Sequence, residues 1–176
     1  KPGAPSTLLD LFKSRSMSGF IIWLGGPLHW KSKRQSITAR SSAEAEIYAT
    51  DECVKSLLHI SHILSDLHLK DTFMSSAVPL YNDNQACVNW SHAQTTKGLR
   101  HLQMQENAIR ESQSSGLVDV QHIAGNLNLS DILTKEDRDK LHYCSIRDAV
   151  MSPTPTLYLT VAHASRVSLN KPFFMN

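Results

Sequence analysis

The sequence lacks the features that mark several common classes of protein. It has only three cysteines in 176 residues, and they are far apart with no Cys-x-x-Cys pair. This spacing argues against a disulfide framework and favours buried thiols in a reducing compartment, whether nuclear, cytoplasmic or organellar. The longest apolar run, residues 20–24, is far shorter than the roughly 20 residues of a membrane span. We therefore expect no membrane-spanning segment.

Acidic residues are scarce at the start of the chain. Of the 16 Asp and Glu residues, only Asp10 precedes Glu44. The 18 Lys and Arg residues leave a formal net charge of +2, which is compatible with nucleic-acid binding but does not require it. A chain that is 41% hydrophobic and 19% charged is typical of a folded globular protein rather than a disordered one.

The apolar patterns predict an α/β fold with a mixed sheet. Residues 19–24 and 28–32 are strand-like runs, and the Gly-Gly-Pro between them predicts a hairpin turn. Ser41 and Glu44 have the spacing of a capping box, which predicts the start of a helix that runs to about residue 67. The rest of the pattern predicts strand, helix, helix, strand and helix, at about 78–81, 85–90, 102–114, 117–123 and 137–150. We expect Trp23, Trp30 and Trp90 to lie in the core of this fold.

The ends of the chain are organised differently from its middle. Residues 1–18 are irregular, apart from the apolar stretch 8–12, which is long enough for a short first strand. The main domain is predicted over residues 19–151. Pro153 and Pro155 interrupt the pattern, so residues 152–176 are predicted to be a C-terminal extension. That extension is suited either to docking on another chain or to packing on its own domain.

Three carboxylates lie where predicted helices or strands begin or end. Glu46 is in the first turn of the long helix, Asp83 follows a predicted strand, and Asp131 is near the start of a short helix. Carboxylates from separate elements are the ligands that a pair of Mg²⁺ ions needs for phosphodiester hydrolysis. A carboxylate in a first helical turn is also ordinary on a protein surface, where it offsets the helix dipole. Spacing alone therefore leaves both interpretations open.

Six short motifs resemble the ribonuclease H domain of copia-type retrotransposon polyproteins, and they follow the family's order. They lie at residues 16–20, 24–35, 41–49, 81–86, 100–102 with 109–111, and 130–135, and so extend over about residues 15–150. The resemblance implies a ribonuclease H-like fold for the main domain. It also implies cleavage of the RNA strand of RNA–DNA hybrids, with two Mg²⁺ ions, or Mn²⁺ in their place, as cofactors.

The resemblance assigns Glu46, Asp83 and Asp131 as metal ligands, and it assigns Glu44 to helix capping. The family's fourth carboxylate comes first in the chain, some 13–15 residues before the position of Gly19, where this sequence has no acid. Asp10, in the apolar stretch 8–12, is the one available substitute, and the alternative is that Asp10 is a surface or capping residue. Without a fourth carboxylate, both ions would be held weakly.

The expected substrate contacts are polar and basic side chains near these carboxylates. Asn84 and Gln85 are suited to the minor groove of a hybrid, and Lys31, Lys33 and Arg34 to its phosphates. The basic trio is equally typical of a solvated strand edge. The sequence thus supports two interpretations. One is a two-metal ribonuclease H. The other is a domesticated, inactive module that serves as a structural subunit, or as a binding subunit for RNA, hybrids or proteins, in a larger assembly such as a ribonucleoprotein.

Overall fold

The computed structural model describes residues 15–92, 103–134, 140–151 and 159–162. Strands β1 (Met17–Leu24) and β2 (Pro27–Arg34) form the predicted antiparallel hairpin. Gly25 turns the chain with a φ of 73°, in the left-handed region that glycine tolerates best. β1 is buried on both faces, whereas most of β2 is exposed, as befits a strand at the edge of a sheet.

Helix α1 (Ser42–Asp66) begins at the predicted capping box. The Ser41 hydroxyl accepts a hydrogen bond from the Glu44 backbone N–H at 3.1 Å, and a Glu44 carboxylate oxygen accepts one from the Arg40 N–H at 2.7 Å. These bonds partner backbone donors that a helix start would otherwise leave free. One face of α1 then packs on the sheet, with Leu57 and Val54 among its most buried side chains.

The remaining elements comprise the predicted ones, in the predicted order with one correction, and three that the predicted order lacked, at 70–73, 125–127 and 159–162. They are α2 (Lys70–Phe73), β3 (Val78–Asn82), α3 (Gln85–His92), α4 (Gln103–Ser114), β4 (Val118–His122), 3₁₀ helices at Gly125–Leu127 and Leu129–Leu133, α5 (Lys140–Met151) and β5 (Leu159–Ala162). The α/β class is confirmed. The predicted α-helix around Asp131 is instead a five-residue 3₁₀ helix, and Asn128 caps its start.

Within the described residues, five strands form one mixed sheet in the order β2-β1-β5-β3-β4. β5 pairs antiparallel with β1 and parallel with β3, and β3 pairs parallel with β4. The central strand of the sheet therefore comes from the segment beyond residue 151. The predicted first strand at 8–12, with Asp10, lies outside the described residues, as does the rest of the extension.

The core lies on both faces of the sheet. The larger cluster includes Phe20, Ile22, Leu57 and Leu80, and the smaller one joins Ile21 to the 3₁₀ segment and α5. Trp23 is buried and Trp90 half-buried, but the prediction that Trp30 is a core residue is wrong, because 59% of it is exposed on the edge strand β2. No helix in the described ranges is long and apolar enough to span a membrane.

Candidate active site at the carboxyl ends of the parallel strands

Glu46 and Asp83 lie close to the same buried thiol. Glu46 is half-buried in the first turn of α1, and Asp83 is half-buried directly after β3. Burial raises the pKa of Cys87 in α3 to about 12, a hydrogen bond with Thr50 opposes that rise, and the charges of Glu46 and Asp83 add to it. Because such charge effects weaken with distance, both predicted ligands lie near Cys87, at one corner of the fold, and so does Glu106, whose charge adds to the shift in the same way.

The residues on either side of Asp83 fix the backbone that carries it. Asn82 is fully buried; its side-chain amide donates to the Thr50 hydroxyl at 3.0 Å, and its side-chain oxygen accepts from the Asn84 N–H at 2.7 Å. The Asn84 side-chain oxygen in turn accepts from the Ala86 N–H at 3.0 Å and so caps α3. Asp83 is thus held between α1 and α3.

Gly125 brings the segment after β4 against Asp83. A Cβ at Gly125 would lie only 3.3 Å from an Asp83 carboxylate oxygen, which is closer than most side chains approach one another. The first 3₁₀ helix starts at this glycine, and Asp131 follows six residues later in the second. The close approach therefore links the corner that holds Asp83 to the segment that carries Asp131.

Asp131 is buried, with 3% of its surface exposed. Its segment is anchored locally, because the Asn128 side-chain oxygen accepts from the Ser130 N–H at 3.0 Å. It is also anchored on the sheet, where a Cβ at Gly19 would meet Thr134 Cγ2 at 2.5 Å. Only a glycine at position 19 lets the 3₁₀ segment pack this closely on β1.

The carboxylates do not yet form a complete metal site. Within the ranges that the structure describes, no three or more His, Cys, Asp or Glu side chains are arranged so that they could hold a metal ion. Glu46 and Asp83 share a corner and Asp131 lies on an adjoining segment, but a pair of Mg²⁺ ions needs more shared oxygen ligands than these provide. The metal-ligand set stays a prediction, and Asp10 lies outside the described residues.

The predicted substrate-binding residues fall in two places. Asn84 uses its side-chain oxygen as the α3 cap, and exposed Gln85 donates to Asn89 at 2.9 Å, so both lie beside Asp83. On β2, Lys31 forms an ion pair with Glu52 at 2.9 Å, whereas Lys33 and Arg34 are exposed. Whether any of them contacts a substrate stays a prediction.

A polar cavity of about 200 Å³ opens between the end of β2, α1 and α4, and Lys33 and Arg34 line it. Gln35 also lines it; its side-chain amide donates to the Ser18 hydroxyl and to the Ala45 carbonyl at 2.9 and 2.8 Å. No described residue donates to the side-chain oxygen of Gln35. The cavity is suited to water or to another hydrogen-bond donor.

Sequence reasoning missed the residues that position the site. Asn82, Thr50 and Gly125 shape the corner without being charged, and none of them belongs to the predicted set. The sequence offers a signal for Asn82, because this polar residue directly follows the apolar run 78–81. The roles of Thr50 and Gly125 depend on contacts across 32 and 42 residues of chain, respectively, which no local pattern reveals.

Comparisons with known proteins identify retrotransposon Pol polyproteins as relatives of this chain. The chain is 30% identical over 142 residues to the "Retrovirus-related Pol polyprotein from transposon TNT 1-94" of Nicotiana tabacum. The aligned region covers 77% of this chain and 10% of that polyprotein. It is 31% identical over 126 residues to the corresponding polyprotein from transposon RE2 of Arabidopsis thaliana, covering 68% of this chain and 8% of the relative. A Ty1 Gag-Pol polyprotein of Saccharomyces cerevisiae, Ty1-NL2, is 27% identical over 124 residues, or 69% of this chain and 7% of its own length.

The chain spans about a tenth or less of the length of these curated relatives. No protein-family profile matches the sequence. No solved structure matches it either. The similarities nevertheless cover more than two thirds of this chain in each relative named above, and all of those relatives are Pol polyproteins. They support the derivation of this region from the Pol polyprotein of a copia-type retrotransposon.

Proposed function

We propose that this chain is a ribonuclease H-like domain of a copia-type element, which binds RNA–DNA hybrids and hydrolyses their RNA strand when its carboxylate set is complete. The observation that carries the proposal is that Glu46 and Asp83 both lie near the buried Cys87, at one corner of the fold. Both come from motifs that resemble the family's ligand-bearing segments, and the relatives are retrotransposon Pol polyproteins. A third motif places Asp131 on the segment that contacts Asp83 through Gly125.

The edge strand β2 supports nucleic-acid binding. Trp30 has 59% of its surface exposed, and it is followed on the same strand by Lys31, Lys33 and Arg34. Because side chains alternate along a strand, Arg34 shares the face of Trp30 and can add a phosphate contact to its stacking surface. Since backbone contacts of this kind carry no sequence information, we expect recognition of hybrid shape rather than of base sequence.

A second function has its own support. The described residues contain no cluster of three metal-ligating side chains, and the central strand of the sheet, Leu159–Ala162, carries no acid. A chain with this arrangement is suited to serve as a catalytically inactive binding module. The two functions share hybrid binding and differ in hydrolysis, so one pair of measurements separates them.

The experiment measures binding and cleavage of the same labelled RNA–DNA hybrid, with Mg²⁺ or Mn²⁺ present for the cleavage assay. For the nuclease, we expect Glu46→Gln and Asp83→Asn to lower the cleavage rate at least about a hundredfold, while the exposed-site control Asp71→Asn leaves it unchanged. Hybrid binding without cleavage by the unmodified chain would favour the inactive module. The absence of both binding and cleavage would refute both functions.

The same hybrid tests the binding surface in the absence of divalent ions. Trp30→Ala should weaken binding about tenfold, because stacking of a base on an aromatic ring contributes about 1–3 kcal/mol. Tyr143→Ala, which removes an aromatic ring that is 46% exposed on α5, is the matched control and should leave binding unchanged. Equal effects of the two substitutions would exclude β2 as the hybrid-binding surface.

A further inference from the structure

The polar cavity between the end of β2, α1 and α4 contains buried acceptor oxygens that lack donors. Gln35 lines this cavity and has only 8% of its surface exposed. Its side-chain nitrogen donates to the Ala45 carbonyl at 2.8 Å, and a carbonyl can only accept, so the orientation of the amide is fixed. The side-chain oxygen of Gln35 is then the atom without a donor among the described residues.

Two more of the residues that line the cavity present an oxygen of the same kind. The side-chain oxygen of Gln105 on α4 and Glu52 Oε2 on α1 are buried, and no described residue donates a hydrogen bond to either. Glu52 Oε2 does lie 2.9 Å from Lys31 Nζ, which balances its charge, but the ammonium is not aligned for a hydrogen bond. Buried acceptors without donors are rare and unfavourable, so three in one cavity favour a bound molecule that supplies the donors.

The charges around the cavity argue against a simple cation as that molecule. The lining contains three basic residues and two acidic ones. Both acids are already balanced, because Asp51 lies 2.6 Å from Lys55 Nζ and Glu52 is paired with Lys31. Lys33, exposed near the end of β2, adds a positive charge to this lining. A suitable ligand therefore combines N–H donors for the oxygens with an anionic group for Lys33.

A guanine nucleotide has both features. Among the four RNA bases, only guanine carries two adjacent donor groups, N1–H and the 2-amino group, on its Watson–Crick edge. Its phosphate supplies the anionic group. The cavity volume of about 200 Å³ is far larger than the roughly 10–15 Å³ that one water needs and smaller than the roughly 300–1,000 Å³ of most ligand pockets. That size suits a single base with its phosphate at the exposed edge.

We propose that this cavity binds a guanine nucleotide, either free or at the end of an RNA strand. The side-chain oxygens of Gln35, Gln105 and Glu52 accept hydrogen bonds from the base, and Lys33 contacts the phosphate. None of the predicted metal ligands lines the cavity. Nucleotide binding there consequently requires neither a divalent ion nor cleavage of a hybrid, and it stands or falls separately from the proposed nuclease.

Isothermal titration calorimetry of the full chain, without divalent ions, tests the site. Guanosine 5′-monophosphate (GMP) should bind at millimolar concentration or below. Inosine 5′-monophosphate, which lacks only the 2-amino group, should bind at least about fivefold more weakly, because it leaves a buried acceptor without a donor. Guanosine, which lacks the phosphate, should also bind more weakly than GMP.

Three results of this titration would overturn the proposal. The first is the absence of GMP binding, as expected if the cavity holds only water. The second is equal affinity for GMP, inosine 5′-monophosphate and adenosine 5′-monophosphate. The third is binding of methylguanidine but not of GMP, which would indicate a cationic ligand such as an arginine side chain.

Substitutions locate the binding in the cavity. Gln105→Leu should weaken GMP binding about tenfold by removing an acceptor, whereas Gln121→Leu, at an exposed glutamine on β4, should leave it unchanged. Lys33→Ala should weaken binding of GMP but not of guanosine, and Lys70→Ala, at an exposed lysine on α2, should affect neither. Equal affinities of the two glutamine variants, in protein whose circular dichroism matches the unmodified chain, would overturn the proposal. If Gln105→Leu does not fold, the nucleotide series with the unmodified chain still decides it.

An RNA trinucleotide with a 3′-terminal guanosine separates the two sources of the ligand. Tighter binding of the trinucleotide than of GMP assigns the cavity to an RNA end, and the reverse order assigns it to the free nucleotide. Either order supports the proposal as long as Gln105→Leu weakens binding of the tighter ligand. Unchanged affinity of that variant for both ligands would overturn it.

Discussion

Replacing Asn82 by alanine removes two buried hydrogen bonds from the end of β3. The Asn82 side chain donates to Thr50 Oγ1 at 3.0 Å and accepts from the Asn84 N–H at 2.7 Å, and the residue is fully buried. Each buried group left without a partner costs about 1–3 kcal/mol, so Asn82→Ala should lower the free energy of unfolding by about 2–5 kcal/mol. In a chain of this size that corresponds to a fall in melting temperature of about 5–15 °C.

Urea denaturation followed by tryptophan fluorescence measures this change. Asn89→Ala is the matched control, because Asn89 is an exposed asparagine on α3 whose loss should change the unfolding free energy by less than about 0.5 kcal/mol. A double variant with Thr50→Val should show a coupling of about 0.5–3 kcal/mol, since the two side chains share one bond. A cost below about 1 kcal/mol for Asn82→Ala, or additive effects with Thr50→Val, would refute the account of how Asp83 is held.

Three further substitutions test other parts of the fold by the same denaturation assay. Ser41→Ala should lower the free energy of unfolding by about 0.5–2 kcal/mol, because it removes the α1 cap, whereas Ser42→Ala should leave that free energy nearly unchanged. Equal losses for the two variants would contradict the capping role. Arg110→Met should lower the free energy of unfolding by more than Ser41→Ala does, because it removes the guanidinium that lies 3.1 Å from the buried Glu106 carboxylate; a smaller loss than for Ser41→Ala would contradict this. Burial raises the pKa of Cys87 to about 12, so on raising the pH the thiol ionises in the unfolded chain before it does in the folded one. The free energy of unfolding should therefore fall above about pH 9, by up to about 1.4 kcal/mol per pH unit. Cys87→Ala should make this fall less steep, and an unchanged pH dependence would contradict the raised pKa.

Local features of the fold were predictable because their causes are local. Ser41 and Glu44 identified the start of α1 through their spacing, and Gly25 identified the hairpin through the backbone conformation that a tight turn requires. The 3₁₀ helix around Asp131 was mistaken for an α-helix because both share a capped start, and only the hydrogen-bond pattern separates them. Exposure of Trp30 depends on β2 being an edge strand, which residue type does not reveal.

The candidate site was predictable only in its charged members. The sequence singles out Glu46 and Asp83 by their motifs, and in the structure the charges of both raise the pKa of Cys87, while their role as metal ligands stays a prediction. The closeness of Gly125 to Asp83 and the bond between Thr50 and Asn82 arise from chain segments that meet only in the folded protein. The central position of β5 was not predictable either, because a single sequence does not reveal which strands become neighbours in the sheet.

The central location of β5 has a consequence for biosynthesis. Leu24 and Leu159 are paired across 135 residues, so the two halves of the sheet cannot be joined until nearly all of the described chain has left the ribosome. Until then, neither the β1–β2 hairpin nor the β3–β4 pair has β5 as its neighbour. Contacts between such distant segments make folding slow, so nascent chains stalled before residue 159 should depend on chaperones far more than the completed protein does.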